Sequence, residues 1–191
     1  MAKLMVLVAS TRPGRVGSSV GAWIDEVAKE HGAFDVELVE LADMNLPLFD
    51  EPQHPAMRSY LHEHTKSWSA KVEAADAFIF VTPEYNFSTP ASLLNALTYL
   101  VQEWHYKPVG FASYGGISGG IRSVQMTKQV LTTFKMVPLY EAVVIPHVQS
   151  FLDDQNQFQA DQVHTDAANT MLTELKRWSG ALTTLRTKET K

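Results

Sequence analysis

The sequence predicts a doubly wound α/β fold, with five parallel strands in the order 2-1-3-4-5 and helices on both faces. Three observations predict it. Short apolar runs alternate with longer amphipathic segments along the whole chain. The runs are apolar at consecutive positions, which implies burial on both faces and hence a parallel sheet covered by helices. The length of 191 residues suits one domain with a sizeable core.

The elements follow in order. Strands are expected at residues 4–9, 34–41, 77–82, 108–113 and 142–145. Helices are expected at 18–30, 55–73, 90–101 and 121–134. A last helix at 160–185 has Leu172, Leu175, Trp178, Leu182 and Leu185 at spacings of three and four. Residues 45–55 hold three prolines and read as a long loop. No repeat or linker interrupts residues 1–186, which read as a single domain, and residues 187–191 read as a polar tail. Met126, Met136 and Met171 read as core.

Composition narrows the function. Hydrophobic residues make up 45% and charged residues 19%, a globular balance. The net charge of -5 argues against a nonspecific nucleic-acid binder, yet a few local arginines can still hold a small anion. With no cysteine there is no disulfide, thiolate metal site or cysteine nucleophile. No apolar run approaches the roughly eighteen residues of a membrane span, and the first apolar run is too short for a signal peptide. The expected setting is cytoplasmic.

In an open α/β sheet, ligands bind at the carboxyl ends of the strands, near the point where strand order reverses. With order 2-1-3, that point lies between strands 1 and 3. Three loops should therefore carry function.

The loop after strand 1 contains Ser10, Thr11, Arg12, Pro13, Gly14, Arg15, Val16, Gly17, Ser18 and Ser19. Hydroxyls, a guanidinium and a helix N-terminus together suit an anion. The loop lacks the lysine of a P-loop and the glycine spacing of a dinucleotide turn, and its many hydroxyls suit a terminal phosphate monoester such as that of FMN. An ordinary helix start capped by Ser18 would explain only one of the hydroxyls.

The loop after strand 3 contains Pro83, Glu84, Tyr85, Asn86 and Phe87, then Ser88, Thr89 and Pro90. A stiff backbone beside aromatic rings can line a flat heteroaromatic ring. Pro90 should open the next helix, capped by Ser88 or Thr89. The loop after strand 4 contains Ser113, Tyr114, Gly115, Gly116, Gly119 and Gly120, where the backbone can come close to a ligand and offer N–H groups to a ring edge.

Together these loops resemble the NADPH-dependent FMN reductase family, a flavodoxin-like group that includes quinone, chromate and azo-dye reductases. The sequence Pro83, Glu84, Tyr85, Asn86 is the most specific match. Many relatives have Asn where this chain has Ser19, which can still donate to phosphate. The resemblance implies non-covalent FMN. Ser10, Thr11, Arg12, Val16, Gly17, Ser18 and Ser19 would hold the phosphate end. Pro83, Glu84, Tyr85, Asn86 and Phe87 would line the isoalloxazine, with Tyr85 and Asn86 nearest its reactive part. Ser113, Tyr114, Gly115 and Gly116 would close the other side. It further implies NADPH or NADH as co-substrate, ping-pong transfer to a small acceptor, no essential protein acid or base, and a homodimer or tetramer. Arg15 is a candidate for a 2′-phosphate, or else a solvated surface arginine.

Other readings are an electron carrier of the flavodoxin type, without a nicotinamide site, and a nucleotide-binding module without flavin. The second leaves the aromatic loop unexplained. His54, His62 and His64 cluster in sequence, but the i, i+2 spacing does not put His62 and His64 on one helical face, so a solvated helix is expected there. Trp104 and Tyr106 suggest a subunit contact or packing beneath the loop to strand 4.

Overall fold

The computed structural model describes residues 1–186; the polar tail expected at 187–191 lies outside the described residues. The strands are β1 Lys3–Val8, β2 Asp35–Glu40, β3 Ala77–Pro83, β4 Pro108–Tyr114 and β5 Val137–Ile145. They form one all-parallel sheet in the order β2-β1-β3-β4-β5, as the sequence predicts. The helices are α1 Gly17–His31, α2 Leu41–Met44, α3 Glu63–Ala74, α4 Ala91–Thr98, α5 Ile121–Leu131 and α6 Gln162–Arg186.

Alternate side chains of each central strand enter opposite cores. On one face, Val6, Val8, Ile79 and Val81 pack with Val20 and Ile24 of α1 and with Met171, Leu172 and Leu175 of α6. On the other, Met5, Leu7, Phe78, Phe80 and Phe111 pack with Trp68 of α3, Leu93 and Leu97 of α4, and Trp104. β1, β3 and β4 are thus buried almost throughout, while the edge strands β2 and β5 are partly exposed.

Several expectations are corrected. The helix expected at 55–73 is two pieces, a short turn at Pro55–Met57 and then α3. Arg58 takes a left-handed conformation (φ 50°) between them. The Glu51 carboxylate accepts the N–H groups of Leu61 (2.8 Å) and His62 (3.0 Å), donors that a continuous helix would need. His62 therefore precedes α3, and its ring stacks on that of His64, both beside Asp50. In α6, Trp178 and Leu185 stand about two-fifths exposed; the buried stripe runs instead through His164, Ala168, Met171, Leu172, Leu175, Ser179 and Leu182. Met136 and Met171 are core, but Met126 is 44% exposed. Trp104 is fully buried against Trp68 and Phe78, so it is an internal packing group rather than a surface contact.

Lys107 is a buried cation that donates to the carbonyls of Val72 (2.8 Å) and Glu73 (3.1 Å) at the end of α3. Burial lowers its pKa to about 8. Between that value and the unfolded one near 10.5, the unfolded chain binds more protons, so stability should rise with pH. From pH 8 to 10 the wild type is expected to gain on the order of 1–2 kcal/mol relative to Lys107→Met in urea denaturation. A constant difference between the two across this range refutes the assignment.

Candidate functional site

The site lies at the carboxyl edge of β1, β3 and β4. Ser10 is completely buried there. Its hydroxyl hydrogen-bonds the Tyr85 hydroxyl at 2.7 Å and accepts the Arg12 N–H at 3.3 Å. The chain then turns through Gly14 (φ 66°) and enters α1 at Gly17. A Cβ on Gly17 would lie 2.5 Å from the Tyr114 hydroxyl and 3.2 Å from a Val8 methyl, so a larger residue would have to push the Tyr114 side chain aside. No side chain caps α1; Ser18 instead donates to Glu40 at 3.1 Å. The Ser19 hydroxyl accepts the Phe158 N–H.

The second wall follows β3. Tyr85 and Ser88 exchange two backbone hydrogen bonds (3.1 and 2.9 Å), closing a two-residue hairpin. Its tip, Asn86 and Phe87, has φ of 52° and 65°, as a type I′ turn requires. Glu84 turns away from that tip. It accepts the Ser118 hydroxyl (2.8 Å), the Arg122 N–H (3.1 Å) and the Arg122 guanidinium (2.8 Å). Burial pushes its carboxyl up, but Arg122 and Ser118 outweigh this and hold it below its ordinary value. The Arg122 guanidinium also lies over the Phe87 ring, 4.4 Å from its centre. Neither Ser88 nor Thr89 caps α4; Pro90 occupies that position, and its carbonyl accepts the N–H groups of Leu93 and Leu94.

The third wall follows β4. The Gly115 N–H donates to the Ile145 carbonyl (3.2 Å), so it continues the sheet instead of facing a ligand. The carbonyls of Gly115 and Gly116 accept the N–H groups of Val148 (3.0 Å) and His147 (2.8 Å). Gly116 is the open position, because a Cβ there would meet nothing within 4 Å. The Tyr114 phenol is pushed above its ordinary range by burial and by neighbouring Tyr85, partly offset by Arg15 and the Ser10 hydroxyl. It stays protonated at neutral pH.

These walls enclose a cavity of about 490 Å³. Arg12, Arg15, Val16, Pro83, Glu84, Tyr85, Tyr114, Gly115 and Gly116 all line it. Other expected residues sit elsewhere. Ser18 and Ser19 line an adjoining groove of about 380 Å³ that shares Gly14, Arg15 and Val16 with the cavity. Thr11 is exposed, and Asn86 and Phe87 form the exposed hairpin tip. Ser113 lines a separate groove beside α5 and β5. Sequence reasoning missed a fourth wall after β5, made by His147, Val148, Gln149, Ser150 and Asn156. The rule that ligands gather at strand carboxyl ends applies to β5 as well and would have pointed there.

The cavity volume falls within the roughly 300–1,000 Å³ of small-molecule sites. Arg12 and Arg15 bring cationic donors to it, Tyr85 and Tyr114 bring phenol hydroxyls, and Gly116 leaves an open face. That donor set suits a phosphate attached to a flat polar ring.

The model of the NADPH-dependent FMN reductase family matches residues 2–150. The chain belongs to that family. Among its relatives is an NAD(P)H-dependent FMN reductase of Schizosaccharomyces pombe, 40% identical over 163 residues, covering 82% of this chain and 81% of the relative. A quinone reductase of Pseudomonas putida is 31% identical over 137 residues, 69% of this chain and 70% of the relative. The fold is shared with the flavoenzyme NAD(P)H:(acceptor) oxidoreductase FerB of Paracoccus denitrificans, with a TM-score of 0.76 at 18% identity, over 95% of this chain and 98% of that one. FMN reductases of this family are oxidoreductases that use NAD(P)H and FMN. No described helix is long and apolar enough to cross a membrane.

Proposed function

We propose that this chain is an FMN-dependent NAD(P)H oxidoreductase that delivers electrons to small acceptors such as quinones, flavins, azo dyes or metal oxyanions. The observation that carries this is the single cavity joining Arg12 and Arg15 to Tyr85, Tyr114 and Gly116 at the reversal of strand order. Ser10, Thr11, Arg12, Val16, Gly17, Ser18 and Ser19 form the phosphate end. Pro83, Glu84 and Tyr85 form the ring's first wall, with Tyr114, Gly115 and Gly116 opposite.

When bound, FMN supplies the hydride and electron chemistry. The protein binds, orients and shields. Arg12 offers a planar fork to phosphate. Glu84 locks the hairpin to the start of α5, so the two ring walls keep a fixed spacing. Tyr114 presents a neutral hydroxyl at the cavity floor. One shared opening suits a ping-pong sequence in which nicotinamide and acceptor alternate. We further propose that residues 1–186 act as one domain, in a cytoplasmic homodimer or tetramer.

Anaerobic addition of NADPH to the FMN-loaded protein tests the reading. Rapid bleaching of the flavin is expected. A flavin that stays oxidised indicates a carrier, and apoprotein that takes up no FMN removes both flavin readings. Arg12→Ala should weaken FMN binding about tenfold or more and leave riboflavin binding unchanged, as read by flavin fluorescence quenching. Equal losses for the two flavins would place Arg12 away from the phosphate.

A further inference from the structure

Glu40 ends β2 and reaches across to the first turn of α1. Its Oε2 accepts the Arg15 Nε–H (2.8 Å), a second Arg15 N–H from Nη2, and the Ser18 hydroxyl (3.1 Å). Both charged side chains are about four-fifths buried, with 20% exposure for Arg15 and 18% for Glu40. Arg15 lines the cavity and the adjoining groove alike, and Ser18 lines the groove. The donors that should grip a ligand's phosphate are therefore already held by a carboxylate of the chain itself.

We propose that Glu40 is an internal competitor for the phosphate of the bound flavin, acting as a latch on Arg15 and Ser18. This rests on the flavin reading above. Glu40 takes the Nε and Nη2 side of Arg15 and the single Ser18 proton, and a phosphate that uses this same edge and proton must displace it. The two anions also repel each other across this partly desolvated site. Ligand entry therefore exchanges one anion for the other: Arg15 and Ser18 leave Glu40 for the phosphate, and Glu40 turns towards solvent. The latch satisfies two donors and sets the affinity for phosphorylated flavin without touching the ring. It also makes Arg15 part of the phosphate site.

Glu40→Gln removes the charge and keeps the shape. Titrated into apoprotein and read by fluorescence quenching, FMN is expected to bind this variant about tenfold more tightly than wild type, with riboflavin unchanged. Glu40→Asp keeps the charge and should not tighten FMN binding. Weaker or unchanged FMN binding by Glu40→Gln, or an equal change for riboflavin, would overturn the latch while leaving the flavin reading in place. Wild-type apoprotein that binds neither flavin would overturn both. If Glu40→Gln does not fold, Arg15→Gln reads the latch from the other side: FMN binding should weaken about tenfold with riboflavin unchanged, and no FMN-specific loss refutes the proposal.

Discussion

Replacing Gly120 by alanine is expected to cost about 3 kcal/mol or more of stability. Gly120 has φ of 85°, a region where a side chain is strained whatever the space available. Space is also lacking. The new Cβ would lie 2.9 Å from the Tyr114 nitrogen, 3.0 Å from the Tyr114 oxygen and 2.9 Å from the Ser113 Cβ. The clashing atoms are mostly backbone of β4, a buried central strand, so no flexible side chain can move aside. Relief requires α5 and the preceding glycine loop to shift, which opens the third wall. Urea denaturation should show the loss, and FMN binding should weaken with it. Gly116→Ala is the control, since its Cβ meets nothing within 4 Å and stability should change little. A Gly120 variant as stable as the Gly116 one would refute the close approach.

Glu84→Ala should have the next largest effect. The Glu84 side chain is 9% exposed, and its two oxygens accept one donor from Ser118 of the glycine loop and two from Arg122 at the start of α5. Without them the Arg122 N–H and the Ser118 hydroxyl lose partners, and the hairpin loses its tie to the glycine loop. A loss of about 2 kcal/mol is expected, discounted for the partly solvated Arg122. FMN affinity should fall about tenfold because the two ring walls lose their fixed spacing. Acid should mimic the substitution. The folded carboxyl lies below its ordinary value near 4.5, so its contribution is complete above that pH and is lost as pH falls through the folded value. Wild type and Glu84→Gln should therefore converge in stability only as pH falls below the lowered folded value. A gap that persists in acid would mean that the charge is not what holds the hairpin.

The hairpin shows how far sequence reasoning reached. Its location and its aromatic content were legible, because proline, asparagine and strand runs are local signals. The direction of each side chain was not. Glu84 turns to Arg122, 38 residues away, while Asn86 and Phe87 project from a turn whose left-handed geometry no pattern announces. The family was readable from the same few residues, since their order after strand 3 is distinctive. The histidine segment failed for a related reason. Its helical pattern is sound from Glu63 onwards, but Glu51 draws off the N–H groups just before it and sets the helix start.

Hydrophobic periodicity alone determined the five strands, their parallel arrangement and the edge of the sheet where the cavity lies. Apolar burial depends on local spacing and is summed over many residues, so single errors such as Trp178 do not change the outcome. Tertiary structure decided which polar groups meet. Ser10 pairs with Tyr85 across 75 residues, Ser18 with Glu40 across 22, and Ser19 with Phe158 across 139. A hydrogen bond needs one partner at one distance, and chain folding alone supplies it. The hydroxyls of the first loop were therefore visible as donors, whereas the groups they hold, Glu40 among them, became visible only once β2, β3 and the segment after β5 were brought to the same edge.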